Sequence, residues 1–237
     1  MKTNIAKNFV FVSGIVFALS SETNAGFTSA GALFNVVTSA GSGAPTNAVT
    51  QISPYAWGNT GGWTGSQASV SWANDIQGWN PTTGAGFSNA NIVIRNNTAS
   101  AQDFLVTVSV LGTATGPFVA AGSLGGQYVN GSGSLGSLTS TGPLWTAGID
   151  GTTVNSQLNS ALFFAQPYQV VSLGNFNFSN LQIASSVSNN FSIQYSLRLS
   201  AGGEASFTSA FSFQSVPGPA SIALIGLMPF VRSRRRK

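Results

Sequence analysis

Cysteine and histidine are both absent from this 237-residue chain, and charge is scarce, with nine Lys or Arg and five Asp or Glu. Without cysteine no disulfide braces the fold, so stability has to come from burial and sheet hydrogen bonding. Lacking both residues, the chain cannot build Ser-His-Asp or Cys-His nucleophile systems or the usual zinc sites. The cations it does have sit at the ends. Between residues 26 and 216 only Arg95 and Arg198 face four anions, Asp75, Asp103, Asp150 and Glu204, so that segment carries −2 within a chain whose total is +4. A basic groove for nucleic acid is therefore not expected.

At the N-terminus Lys2 and Lys7 precede an apolar segment over residues 9–19, and a polar stretch closes on Thr23, Asn24 and Ala25. Charge, length and the small residue at the boundary predict a secretory signal peptide over residues 1–25, cut by signal peptidase after Ala25. The last 22 residues, VPGPASIALIGLMPFVRSRRRK, have three parts. Pro217, Gly218 and Pro219 make a turn, residues 220–231 are apolar, and Arg232, Arg234, Arg235, Arg236 and Lys237 form a basic end. The apolar run is about a dozen residues against the roughly 20 that span a bilayer core, and Pro229 interrupts it, which predicts a marginal, transient inner-membrane anchor. The basic cluster is expected to stay on the cytoplasmic side, leaving everything before Pro217 outside.

This order of Pro-x-Pro turn, brief hydrophobic helix and Arg-rich end resembles the PEP-CTERM sorting signal of exopolysaccharide-producing Gram-negative bacteria. The resemblance covers about a tenth of the chain and implies processing by an exosortase, which removes the tail and places the mature protein at the cell surface. The family usually carries Val-Pro-Glu-Pro; here Val216, Pro217, Gly218 and Pro219 stand in its place.

The remaining segment, residues 26–215, is long enough for one substantial core or a two-sheet sandwich. Phe191, Ile193, Tyr195, Leu197 and Leu199 alternate with polar residues, a Gly-Gly turn follows, and Ala205, Phe207, Phe211 and Phe213 alternate again. That pattern predicts a β-hairpin. A second hairpin is predicted from Ile92 and Ile94 through a polar turn at Asn96 to Phe104, Val106, Val108 and Val110. Weaker strand signals lie at residues 33–37, 48–52, 69–72, 127–130, 169–173, 176–178 and 181–187. The one stretch with workable helical spacing is 153–164, and the glycine-rich residues 112–148 read as ordered loops and edge strands. The expected fold is all-β: an antiparallel two-sheet sandwich, jelly-roll-like or immunoglobulin-like, between a signal helix and a short C-terminal hydrophobic helix.

Chemistry is thinly represented. Asp75, Asp103, Asp150 and Glu204 are the acids available to a glycosidase or a calcium site, yet Asp150 precedes Gly151 in a turn dipeptide, Glu204 borders a Gly-Gly turn and Asp103 opens a strand. No catalytic residue, metal site or cofactor is expected. Trp57, Trp63, Trp72 and Trp79 fall in one stretch with Asp75 between the last two. Aromatic faces beside amide and carboxylate groups serve a glycan-binding surface, and they serve core packing equally well. Sequons at Asn96, Asn130, Asn177 and Asn190 are what a chain rich in Ser, Thr and Asn produces by chance. Two functions follow: a non-catalytic surface or matrix protein associated with exopolysaccharide or biofilm, and, as the alternative, a lectin-like module using the Trp-rich surface.

Overall fold

The computed structural model describes residues 32–38, 41–43, 50–53, 56–65, 68–80 and 85–216. Ala25, the expected signal segment, Pro217, Gly218, Pro219 and the basic tail through Lys237 lie outside the described residues, and so do the stretches expected to form the two flanking helices. Among the described residues no helix is long and apolar enough to cross a membrane.

The described chain is all-β, in two antiparallel sheets that pack as a sandwich. Its strands are β1 (Ala32–Thr38), β2 (Gly41–Gly43), β3 (Thr50–Ser53), β4 (Ala56–Thr64), β5 (Ala68–Asn80), β6 (Ala85–Asn96), β7 (Gln102–Leu111), β8 (Phe118–Asn130), β9 (Gly136–Thr139), β10 (Pro143–Ile149), β11 (Thr152–Asn159), β12 (Leu162–Ala165), β13 (Val170–Ile183), β14 (Asn190–Leu199) and β15 (Gly203–Ser215). One sheet runs β11-β10-β14-β7-β1-β2, with β9 and β12 attached beside β14. The other is seven-stranded, in the order β13-β8-β15-β6-β5-β4-β3.

The alternating segments are strands, as their period of two requires. Their partners are not the predicted ones. β14 pairs with β7, β10 and β9, whereas β15 pairs with β6 and β8. β6 and β7 likewise belong to opposite sheets. Both expected hairpins are therefore corners that carry the chain across the sandwich. Alternation reports which face of a strand is apolar, and two strands that both bury a face satisfy it equally well by facing each other. The helix expected over 153–164 is instead β11, a turn and β12. An Asp150–Gly151 turn, with φ of 50° and 79°, closes β10 and β11 into a true hairpin and commits the chain to pairing. Within the glycine-rich stretch, β8 is an interior strand between β13 and β15 rather than an edge.

The core is built from the inner faces. Phe191, Ile193, Tyr195, Leu197 and Leu199 of β14 and the valines of β7 face Phe207, Phe211 and Phe213 of β15, and all are buried. Phe213 meets Phe191 edge-on at 4.9 Å and Phe118 at 5.2 Å between ring centroids, the arrangement ring quadrupoles favour. Tyr195 places its hydroxyl 2.5 Å from Ser209 Oγ, and burial pushes its phenol well above the ordinary range, which keeps it neutral. The indole N–H of Trp145, buried beside this pair, makes no hydrogen bond of ordinary geometry.

Two corners share one design. Asn96 ends β6 and Asn130 ends β8, both on the seven-stranded sheet, and in each case the chain enters the opposite sheet six residues later. Each Asn is fully buried. Its Oδ1 accepts from the backbone N–H and the hydroxyl of the residue two ahead, Thr98 or Ser132. Its Nδ2 faces three carbonyls: Ser100, Leu199 and Ser200 for Asn96, and Ser134, Ala165 and Gln166 for Asn130. One side chain thus shapes its own corner and grips the returning one, β14–β15 or β12–β13. Ser200 joins the two sets, because its hydroxyl pairs with Tyr128 Oη at 2.8 Å and accepts from the Ser137 N–H at 3.0 Å. The far end of the sandwich is where the chain departs: Val216 N–H bonds the Pro117 carbonyl just past β15.

Candidate functional site

The seven-stranded sheet buries one face, and its other face carries a groove of about 860 Å³. Along β5, β6, β15, β8 and β13 the outward positions hold mostly hydroxyl and amide side chains, with Ala73, Val93 and Val170 among them, because the large apolar residues take the alternate, inward set. Register lines these positions up. Ser71, Val93, Ser206, Gln127 and Ser172 stand opposite one another across the five strands, and Ala73, Asn91, Thr208, Gly125 and Asn175 form the neighbouring row. At about 4.8 Å per strand the rows extend roughly 19 Å, which fits an extended chain rather than a single small ring.

Two details shape the groove. The Thr208 hydroxyl donates to Asn91 Oδ1 at 2.9 Å, which fixes the amide oxygen and keeps the two N–H donors on Nδ2 out of that bond. Gly125, on the outward row, leaves the floor low: a Cβ there would stand 2.6 Å from Asn175 Oδ1. Gly126 faces the core, where a Cβ would stand 2.7 Å from the Ser206 carbonyl oxygen and against Phe207. None of the lining side chains is charged. In the next row Arg95 stands opposite Glu204, so the rim holds one charge of each sign.

The residues expected to matter are dispersed. Trp72 is buried in the core, and this corrects its place on a glycan-binding surface: a ring that is 4% exposed packs and does not stack on a ligand. Trp57, Trp63, Asp75 and Trp79 are placed by backbone only, on β4 and β5, with Trp57 opposite Ile76, Trp63 opposite Val70 and Asp75 opposite Gly58 and Asn89. Their side chains lie outside the described residues. Asp103 pairs with Arg198 at 2.8 Å on the exposed face of the eight-stranded sheet. Asp150 serves the fold. Partial burial would raise its carboxyl, but the backbone amides of Asn190, Ser188 and Asn189 outweigh that and hold it below the ordinary carboxylate value. Among the described residues no three His, Cys, Asp or Glu side chains gather where a metal ion would sit.

No protein-family model and no curated protein matches the chain. Two solved structures align at low similarity. The carbohydrate-binding module TmCBM61, solved with β-1,4-galactotriose, shares 11% identity over 61% of this chain and 88% of its own, with a TM-score of 0.27. An Arthrobacter globiformis isomalto-dextranase complexed with panose shares 14% over 80% of this chain and 33% of its own, with a TM-score of 0.24. These scores are too low to bear on what this chain binds.

Reasoning from the sequence missed the groove. Asn91, Gln127, Ser172 and Thr208 are 36 to 117 positions apart in pairs that only register brings together, and hydroxyl and amide residues are too common here to stand out. The corner asparagines carried a local signal, Asn-x-Ser/Thr-x-Ser, present in both NNTAS and NGSGS, which reads as a sequon until burial shows its use.

Proposed function

We propose that this chain is an exported, non-catalytic surface or matrix protein that associates with exopolysaccharide through the outer groove of the seven-stranded sheet. In this reading signal peptidase cuts after Ala25, and an exosortase acting at Val216, Pro217, Gly218 and Pro219 frees the domain from its transient anchor. The observation that carries the reading is the uncharged, two-row groove. Outward hydroxyls and amides, with Asn91 oriented by Thr208, offer donors and acceptors at strand spacing, which is what a chain of sugar hydroxyls can pair with at little desolvation cost. The domain's exit at Val216 supports it too, since it lies at the end of the sandwich opposite the Asn corners and leaves the sheet face open while the tail is held.

The lectin-like alternative built on Trp57, Trp63, Trp72, Asp75 and Trp79 loses Trp72 to the core, and no observation favours it over the groove. The test is affinity electrophoresis of the secreted protein through gels containing the producing organism's purified exopolysaccharide, alongside Asn91→Ala and Gln127→Ala. Retardation of the parent that both variants lose, at unchanged melting temperature, is the expected result. Equal mobility with and without polysaccharide would remove the groove from consideration.

A further inference from the structure

Tyr168 is the most exposed large apolar side chain among the described residues, at 74%. It is the third residue of a turn that Gln169 N–H closes onto the Gln166 carbonyl at 3.1 Å, with Pro167 second. Its φ is 60°. Pro followed by a positive φ is the pattern of a type II turn, whose third position belongs to glycine or asparagine, and a tyrosine there carries a steric cost. Such cost persists where something offsets it. Asp150, also at positive φ, is offset by its carboxylate on three backbone amides, and Leu158 by packing against the core. Tyr168 has no comparable return inside the fold: its ring is in water, with its hydroxyl near Gly133.

The turn is also held firmly. Asn130 takes the Gln169 carbonyl with its backbone N–H and the Ala165 and Gln166 carbonyls with its side chain. Two residues beyond Tyr168, at the first position of β13, Val170 lines the end of the groove and is itself 58% exposed.

We infer that Tyr168 is the stacking platform of the groove, a ring that covers the apolar CH face of one sugar of a neutral polysaccharide lying across β5 to β13. The inference rests on the groove reading above and names its ligand class. A solvent-facing ring on the turn that leads into the groove-lining Val170, with the hydroxyl and amide rows further along the same sheet face, would supply the two contacts a hexose chain needs, an apolar face and hydrogen bonds. The neutrality of the ligand follows from the lining: no groove side chain is charged, and Arg95 is matched by Glu204 at the rim, so a polyanion gains nothing there.

The experiment uses the full chain in affinity gels containing galactomannan, polygalacturonate or the producer's own exopolysaccharide, with Tyr168→Asn, Tyr168→Phe and Asn91→Ala measured beside the parent. Tyr168→Asn removes the ring and places a residue that tolerates positive φ. It is expected to weaken galactomannan binding roughly tenfold while Tyr168→Phe keeps it. Its melting temperature is expected to hold or rise by about 2–4 °C. Parent binding that Asn91→Ala impairs and Tyr168→Asn leaves intact would overturn the platform and keep the groove; absence of binding to all three glycans would overturn both. Preference for polygalacturonate over galactomannan would overturn the neutral class, and a fall in melting temperature for Tyr168→Asn would show the ring to be part of the fold.

Discussion

Asn96 and Asn130 each do the work of a whole turn. A buried amide that accepts two hydrogen bonds within its own loop and donates toward three carbonyls cannot be replaced without stranding those groups, and each stranded buried polar group costs about 1–3 kcal/mol. Asn130→Ala is expected to destabilise the protein by about 2–4 kcal/mol in urea unfolding. Asn130→Asp should cost at least as much, although it is nearly isosteric, because it turns a carboxylate oxygen toward three carbonyls. A smaller loss for Asp than for Ala would mean that the amide donors contribute little. The same burial means that these two sequons are not open to glycosylation, whereas Asn177 is exposed.

Asp150 belongs to this scale as well. Its carboxyl lies below its ordinary value, so the stability it contributes is fully present above the unfolded value of about 3.9 and is lost as pH falls through the lower folded value. Thermal melts from pH 6 to pH 2 should therefore show a loss for the parent that Asp150→Asn partly abolishes, with the variant less stable at pH 6 and the two curves converging in acid. Parallel curves would show that the three amides do not discriminate between the charged and neutral carboxyl.

The strands show what alternation can and cannot say. Strands β6, β7, β14 and β15 were legible in the sequence because Ile92 and Ile94, Phe104 to Val110, Phe191 to Leu199 and Ala205 to Phe213 alternate cleanly. Which strands pair was not legible, because a corner of five residues and a hairpin loop of the same length have similar composition; the difference lies in whether the strand-ending Asn96 turns inward or outward. Register then decides the site. Gly126 is the inward position of β8 between the outward Gly125 and Gln127, and a Cβ there would press on the Ser206 carbonyl and on the buried Phe207 and Leu173 side chains beneath the groove. Gly126→Ala is expected to cost about 1–3 kcal/mol by overpacking the core side of β8 against β15, and to weaken polysaccharide binding only through the shift it imposes on the two strands. Unfolding and gel mobility of the same variant check both halves. The exposed Arg198–Asp103 pair on the opposite sheet is a useful control, since an ion pair this open to solvent contributes little and Asp103→Asn should change stability by under about 0.5 kcal/mol.

At the scale of the molecule, polarity along the sandwich matters. The Asn corners, Ser200 and the Tyr168 turn gather at one end, and Val216 leaves from the other. If the tail is cut as the PEP-CTERM resemblance implies, an epitope added after Lys237 should be absent from protein recovered outside the cell and present on the membrane-held precursor; an epitope that persists on the released form would contradict exosortase processing.

Some of this was settled by the amino-acid order alone. Missing cysteine and histidine exclude whole classes of chemistry wherever the chain goes, the clustering of cations at the ends separates two basic terminal segments from a nearly neutral middle, and period-two alternation makes that middle β-structure. These properties are local or compositional, so no partner is needed to define them. The tertiary structure decided the rest: that two apparent hairpins are crossings between sheets, that Trp72 is core, that two ordinary sequons are buried clamps, and that Asn91, Gln127, Ser172 and Thr208 share one groove. Each of these depends on which residues lie opposite one another on neighbouring strands, and that register is set by the summed burial of both sheets rather than by any segment acting alone.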